Sequence, residues 1–291
     1  MNRCLGLVLA FVAGSVLAAE EDRFASVVVE AKHVAGSVHM LTGLGGNIGA
    51  SIGADGTLVI DDQFAPLAER IGKALETAGG ARPRLVLNTH FHGDHTGSNA
   101  FFGTAATIIA HDNVRGRLAG DTKLTRAALP IVTFSDRVRV HFNDDELDVM
   151  HLPSGHTDGD AVVWFKKANV VHMGDLFFNG TFPFVDLSSG GSVAGYLAAL
   201  EAVLAWLPPD AKVIPGHGPL ASAEDLRATR EMIASTSQHI RSAADAGKTV
   251  EAIVAEGLDD RFEKYGSGFI KEESWIRTVH ASYFGAPKAA Q

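Results

Sequence analysis

Cysteine is almost missing from this sequence. The 291-residue chain contains one, Cys4, and it stands ahead of an apolar run at residues 5–17. Met1-Asn2-Arg3 supplies a positive start, and Val16-Leu17-Ala18 supplies small or short residues at the exit. This pattern predicts a signal peptide over residues 1–18, cut near Ala18. Cys4 would leave with it, so the expected mature chain, residues 19–291, offers no disulfide, thiolate nucleophile or cysteine metal ligand. A second long apolar run is also missing. The first is shorter than the roughly 20 residues of a spanning helix, and Glu20-Glu21-Asp22-Arg23 ends it. No membrane anchor is expected after signal removal, and the product is expected to be periplasmic or secreted. Basic residues are in deficit: 25 Lys and Arg face 34 Asp and Glu, a net charge of −9. Such a chain is a poor electrostatic match for nucleic acid. A small-molecule substrate is the expected partner.

What is present is the composition of a globular protein, 46% hydrophobic and 20% charged, which excludes a disordered chain. Short β-rich runs at 26–30, 37–41, 47–52 and 57–60 are separated by glycines and predict an antiparallel meander. A helix is predicted over 66–77, ending at Gly79-Gly80. Buried-strand signals follow at 85–87, 107–110, 138–141, 147–152, 161–165 and 170–173. A helix over 193–207 stops before Pro208-Pro209, and 212–214 reads as the last strand. Ser222 with Asp225 is a capping-box signature that opens a helix running towards Gly247. Helical patterns at 250–256 and 274–283 complete the chain. The expectation is one α/β domain over 19–291, with 221–291 a mainly helical C-terminal extension.

Histidine is where the sequence concentrates its chemistry. Thr89-His90-Phe91-His92-Gly93-Asp94-His95-Thr96 follows the 85–87 strand. Residues i and i+2 of an extended chain point the same way, so His90 and His92 can hold one metal. Gly93 allows a close turn, after which Asp94 and His95 can face a second metal. Imidazole and carboxylate ligands suit zinc, with iron or manganese also open. Further candidates stand at strand exits: His156 in Gly155-His156-Thr157, Asp175 in Gly174-Asp175 and His217 in Pro215-Gly216-His217-Gly218. Functional residues of layered α/β proteins gather at such exits.

The ordered set of motifs from His90 to His217 resembles the metallo-β-lactamase superfamily, over roughly residues 26–220. The resemblance implies an αββα sandwich with metals at one edge. It implies that His90, His92 and His156 hold one metal, that Asp94, His95 and His217 hold the other, and that Asp175 bridges them. That is the ligand set of its glyoxalase II-like and lactonase-like members. The chemistry implied is that of an exported hydrolase with two Zn²⁺ ions. In such sites two ions about 3.5–4 Å apart share a hydroxide. It would cleave an ester, thioester, lactone or β-lactam. Asp94 is the expected catalytic residue, orienting the nucleophile and moving a proton. Asp61, Asp62, Asp158 and Asp160 are candidate acceptors for the ligand imidazoles.

Substrate signals are fewer. Phe177, Phe178, Phe182 and Phe184 read equally as an apolar wall beside the metals or as core. Asn179 lies among them. Residues 43–47, ending in Asn47, read equally as a flap over the site or a plain hairpin turn. Several β-lactam-cleaving members carry cysteine where this chain has Asp175 and lysine where it has Phe178, which weakens a β-lactamase reading. Two other classes fit part of the pattern: a mononuclear iron sulfur dioxygenase and a non-catalytic periplasmic metal-binding protein. The complete seven-residue set favours the hydrolase, and Asp94 has no evident use in storage.

Overall fold

The computed structural model describes residues 23–285. The signal peptide expected over 1–18 lies outside the described residues. Strands β1 (Glu30–Ala35), β2 (Val38–Thr42), β3 (Ile48–Gly53) and β4 (Gly56–Ile60) form an antiparallel meander. Helix α1 (Ala68–Thr77) follows. β5 (Leu85–Leu87) then adds in parallel to β4. Two four-residue helices, α2 (Gly93–Thr96) and α3 (Asn99–Phe102), lead to β6 (Thr107–His111), α4 (Asp112–Gly120) and β7 (Val132–Phe134). β1 to β7 make one sheet in chain order.

The second sheet contains β8 (Arg137–Phe142), β9 (Asp145–His151), β10 (Ala161–Phe165) and β11 (Val170–His172). Helix α5 (Val193–Leu204) carries the chain to β12 (Lys212–Ile214), which runs parallel to β11. β13 (Ala221–Ser222) closes the order β13-β12-β11-β10-β9-β8. The chain ends in α6 (Ala223–Asp245), α7 (Val250–Glu256) and α8 (Glu272–Phe284).

Strand alternation builds the layers. On β4, Leu58 and Ile60 face a core shared with Val163 and Phe165 of β10, between the two sheets. Val59 faces the other way, onto Ile71 and Leu75 of α1. On the second sheet Val162, Val171 and Val213 face Tyr196, Leu200, Ile233 and Trp275 of the helices. The order is helix, sheet, sheet, helix: the αββα sandwich. The C-terminal helices share a hydrophobic core with the second sheet.

The structure corrects several boundaries. The first strand is Glu30–Ala35, not 26–30, because Gly36 and Ser37 form a two-residue turn that pairs Ala35 with Val38. Gly36 takes φ +55°, which suits such hairpins. The strand over 212–214 is not the last, since Ala221 pairs with Val213. β7 and α4 carry no strong periodic pattern and went unpredicted. The Ser222 capping box is present in both directions.

Trp275 locks the C-terminal helices to the sandwich. It is fully buried, stacks on Phe182 with ring centroids 5.6 Å apart, and donates from Nε1 to Thr236 Oγ1 at 2.9 Å. Trp275→Ala is expected to lower unfolding stability by about 3–5 kcal/mol, the usual range for emptying such a site. Equilibrium denaturation measures this, and a loss below about 1 kcal/mol, typical of surface sites, would contradict it.

Candidate metal centre

Parallel pairing explains why distant residues meet. β4 and β5 run side by side, so Asp61 and the 89–95 segment leave the sheet at the same end. β11 and β12 do the same for Asp175 and His217. The Ala161 N–H donates to the Thr89 carbonyl at 2.8 Å and joins the two sheets at that edge.

All seven expected ligands converge there. His90, His92, His156 and Asp175 form one group of converging ligand atoms, and Asp94, His95 and His217 form another. Asp175 addresses both. Its Oδ1 lies 3.0 Å from His95 Nε2 and 3.4 Å from His217 Nε2. Its Oδ2 lies 3.5 Å from His156 Nε2 and 3.8 Å from His90 Nε2. Asp94 Oδ2 is 3.3 Å from His217 Nε2 and 3.6 Å from His95 Nε2. His90 Nε2 and Asp175 Oδ1 are buried without a hydrogen-bond partner. Such groups are costly to bury unless paired or bound to a cation. The donor set therefore fits divalent metal.

The outer ring nitrogens of His90, His92, His95 and His156 are occupied, which directs the inner ones to the centre. His95 Nδ1 bonds Asp61 Oδ2 at 2.8 Å. His90 Nδ1 bonds Thr89 Oγ1 at 3.0 Å, and that hydroxyl donates to Asp61 Oδ2 at 2.7 Å. One carboxylate thus orients a ligand from each group. His156 Nδ1 donates to the Phe184 carbonyl at 2.8 Å, and His92 Nε2 bonds Asp186 Oδ2 at 3.1 Å. His92 differs from the rest in turning Nδ1 inward, 2.9 Å from His156 Nε2. Asp61 and Gln63 hold left-handed backbone conformations, φ +63° and +53°. Such conformations cost non-glycine residues about 1–3 kcal/mol and cluster at functional sites.

Of the other acceptors expected, the Asp160 carboxylate does not reach a ligand imidazole. It accepts from the backbone N–H of His156 and Thr157 and fixes their loop. Asp62 accepts from the Ser98 N–H, and Asp158 pairs with Arg117. Asp186 and the Phe184 carbonyl went unpredicted, because no motif in the sequence ties 184–186 to His92 and His156. Gly93 is also corrected: a side chain there would meet nothing, so close approach is not its role. Gly216 is the demanding position, since its Cβ would stand 2.1 Å from Asp175 Oδ1.

The pocket candidates divide. Phe178 stacks on His217, ring centroids 4.9 Å apart. Phe177 does not line the site; it is fully buried in the core with Leu176 and Tyr196. Asn47 is not directed at substrate, because its amide donates to the carbonyls of Pro215 and Gly218, both at 2.9 Å. The 43–47 turn is anchored at both ligand loops, with Gly46 N–H on Asp94 O and Asn47 N–H on Gly216 O. It is a strut more than a flap. Asn179 partners the same loop through His217 O and Pro219 O.

Charge follows from this packing. Burial opposes ionisation of Asp175, but His95, His217, His90 and His156 outweigh it and hold the carboxyl well below its usual range. Burial pushes His156 down to about 4 and His90 well below its ordinary value. Burial also opposes a charged His217, yet Asp175 and Asp94 push it up to about 9. His95 is likewise raised, burial being outweighed by Asp175 and Asp61.

Residues 52–217 match the family model for the metallo-beta-lactamase superfamily. A hydroxyacylglutathione hydrolase from Polaromonas sp. is 32% identical over 57% of this chain and 64% of its own length. A metallo-beta-lactamase type 2 from Bacteroides fragilis is 24% identical over 56% of this chain and 63% of its own. The chain thus spans less than two thirds of either relative. The solved structure of a sec-alkyl sulfatase, PisA1, superposes with a TM-score of 0.70 over 88% of this chain and 50% of its own, at 17% identity. The chain belongs to the metallo-beta-lactamase superfamily.

Two predictions arise from this geometry. Asp61→Asn should weaken zinc binding about 10–100-fold, the usual effect of losing such a partner, as read by competition with a chromophoric chelator. Unchanged affinity would show that Asp61 does not orient the ligands. Zinc binding to metal-free protein at pH 7 should release protons, because His217, with its pKa near 9, must give up its proton to coordinate. Calorimetry in buffers of different ionisation enthalpy reads this, and zero proton release would contradict it.

Proposed function

We propose that this protein is an exported binuclear zinc hydrolase that cleaves a carbonyl-type bond in a small molecule. The observation that carries the reading is the bridging position of Asp175, one oxygen towards each group of imidazoles. His90, His92 and His156 would hold one ion, Asp94, His95 and His217 the second, and Asp175 both. When bound, divalent ions polarise a carbonyl and make water acidic enough to act as a nucleophile near neutral pH.

The chain's own residues supply the rest. Asp94 is half-buried, and burial raises its pKa, but His217 and His95 outweigh that and hold it ionised. Its Oδ2 can therefore take the proton of the attacking water and return it to the leaving oxygen, nitrogen or sulfur. Asp61, Thr89 and Asp186 hold the imidazoles in one orientation through the cycle. Relatives named hydroxyacylglutathione hydrolase and acyl-coenzyme A thioesterase support an acyl thioester substrate, and Phe178 in place of a lysine disfavours efficient β-lactam cleavage. The signal-peptide pattern over 1–18 supports a periplasmic or secreted site of action.

Elemental analysis is expected to find about two zinc ions per chain, as two-metal chemistry requires. One iron and no zinc, with persulfide-dependent oxygen uptake, would replace this reading with a sulfur dioxygenase. Asp94→Asn should lower kcat about 10²–10⁴-fold on a chromogenic ester, thioester or lactone, the scale of a lost proton-transfer group. Turnover equal to the unaltered enzyme would overturn the role of Asp94.

A further inference from the structure

We propose that Phe178 and Phe184 form an aromatic cradle over the metal centre that selects substrates with an uncharged, apolar acyl group beside the scissile carbonyl. This rests on the hydrolase reading above. The four phenylalanines of the 177–184 segment look alike in sequence, but the fold separates them. Phe177 and Phe182 are core residues. Phe178 lies over the other group of ligands, stacked on His217 at 19° between ring planes, and 6.3 Å from the His156 ring. Phe184 lies 5.7 Å from the His156 ring and 6.0 Å from the His92 ring. It remains 38% exposed. One ring therefore borders each half of the centre, and one presents apolar surface to solvent there.

Both rings are held in place before any substrate arrives. The Phe184 carbonyl accepts from His156 Nδ1, and the Asp186 N–H donates to the His156 carbonyl at 2.9 Å. Phe178 forms a bridge with His217, and the Asn179 N–H donates to the His217 carbonyl at 2.9 Å. A rigid apolar surface loses little entropy on binding. Phe269, 88% exposed, stands next to Ile270, which bridges to Phe182 in the same loop.

Charge points the same way. The segments that carry the ligands and their partners, 43–64, 88–99, 153–165, 170–192 and 213–226, contain no Lys or Arg. Arg117 stacks over Phe91 beside His92, but both oxygens of Asp158 engage it. Lys271 bonds the carbonyls of Gly266 and Ser267, and Lys264 lies over the Tyr265 ring. Asp94 and Asp186 add negative charge at the rim. A substrate bearing a carboxylate or phosphate away from the reacting bond finds no Lys or Arg on these segments to receive it. An acyl chain finds the exposed ring of Phe184, while Phe178, only 7% exposed, braces His217 from within.

The test uses the zinc-loaded mature protein and two probe series. p-Nitrophenyl esters from acetate to octanoate, with one ester ending in a carboxylate, report turnover. Straight-chain hydroxamates from aceto- to octanohydroxamate report binding by calorimetry. Specificity, kcat/KM, and hydroxamate affinity should each rise about threefold to fourfold per methylene covered, the usual return for burying one. The carboxylated ester should lag its neutral counterpart by at least about tenfold, the loss expected for a charge left without a partner. Phe184→Ala should flatten both dependences, losing most on the longest chains while binding zinc normally, and Phe184→Leu should keep them. A chain-length dependence untouched by Phe184→Ala, or a preference for the carboxylated ester, would overturn the cradle. If no ester turns over while hydroxamate affinity still rises with length and falls in Phe184→Ala, the cradle stands and ester hydrolysis fails.

Discussion

A carboxylate buried among imidazoles is the interaction on which the rest of this structure depends. Burial works against the charge of Asp175, and His95, His217, His90 and His156 hold it ionised. Its two oxygens face different groups of ligands, so two separate clusters become one centre. Its backbone is pinned as well: Tyr196 of α5 donates its hydroxyl to the Asp175 carbonyl at 2.8 Å. Gly216 is required because any Cβ there would occupy the position of Asp175 Oδ1. A single side chain thus ties helix, strand exit and ligand loop to one point.

The sheets exist, in functional terms, to bring strand ends to that point. Parallel neighbours β4 and β5 deliver Asp61 and the histidine segment, and parallel neighbours β11 and β12 deliver Asp175 and His217. Antiparallel pairing would have sent those ends to opposite edges. Asp61 shows how the scaffold then refines orientation. It takes a left-handed backbone, accepts from the Thr89 N–H and hydroxyl, and bonds His95. The strain is local, and the bonds it permits reach ligands of both groups.

The C-terminal helices reach the centre indirectly. Trp275 of α8 stacks on Phe182, and the Phe182 N–H donates to the Tyr265 carbonyl at 2.9 Å. Phe182 lies midway along the loop from Phe178 to Asp186, which carries two rings and one carboxylate to the ligands. Helices that touch no ligand therefore help to fix the walls of the site.

Much of this was legible in the residues themselves. His90, His92, Asp94 and His95 are close in sequence, so their spacing alone put them together. His156, Asp175 and His217 stood at strand exits, and their order carried the family resemblance. The meander, the Ser222 cap and the helical extension follow from period and capping chemistry, which are local. The two-residue turn at Gly36-Ser37 was local too, yet it moved the first strand by several residues because register depends on the partner. The acceptors Asp186 and Phe184 O were not legible, since hydrogen bonds 94 and 28 residues apart leave no spacing signal. Nor was the division of the four phenylalanines: alternation cannot tell core from wall when both are apolar. The sequence by itself determined which ligands are available and that they gather at one edge. Only the tertiary structure decided which ring nitrogen each histidine turns inward, which carboxylate orients it and which phenylalanines face the centre. Those choices belong to contacts between segments that meet only after folding.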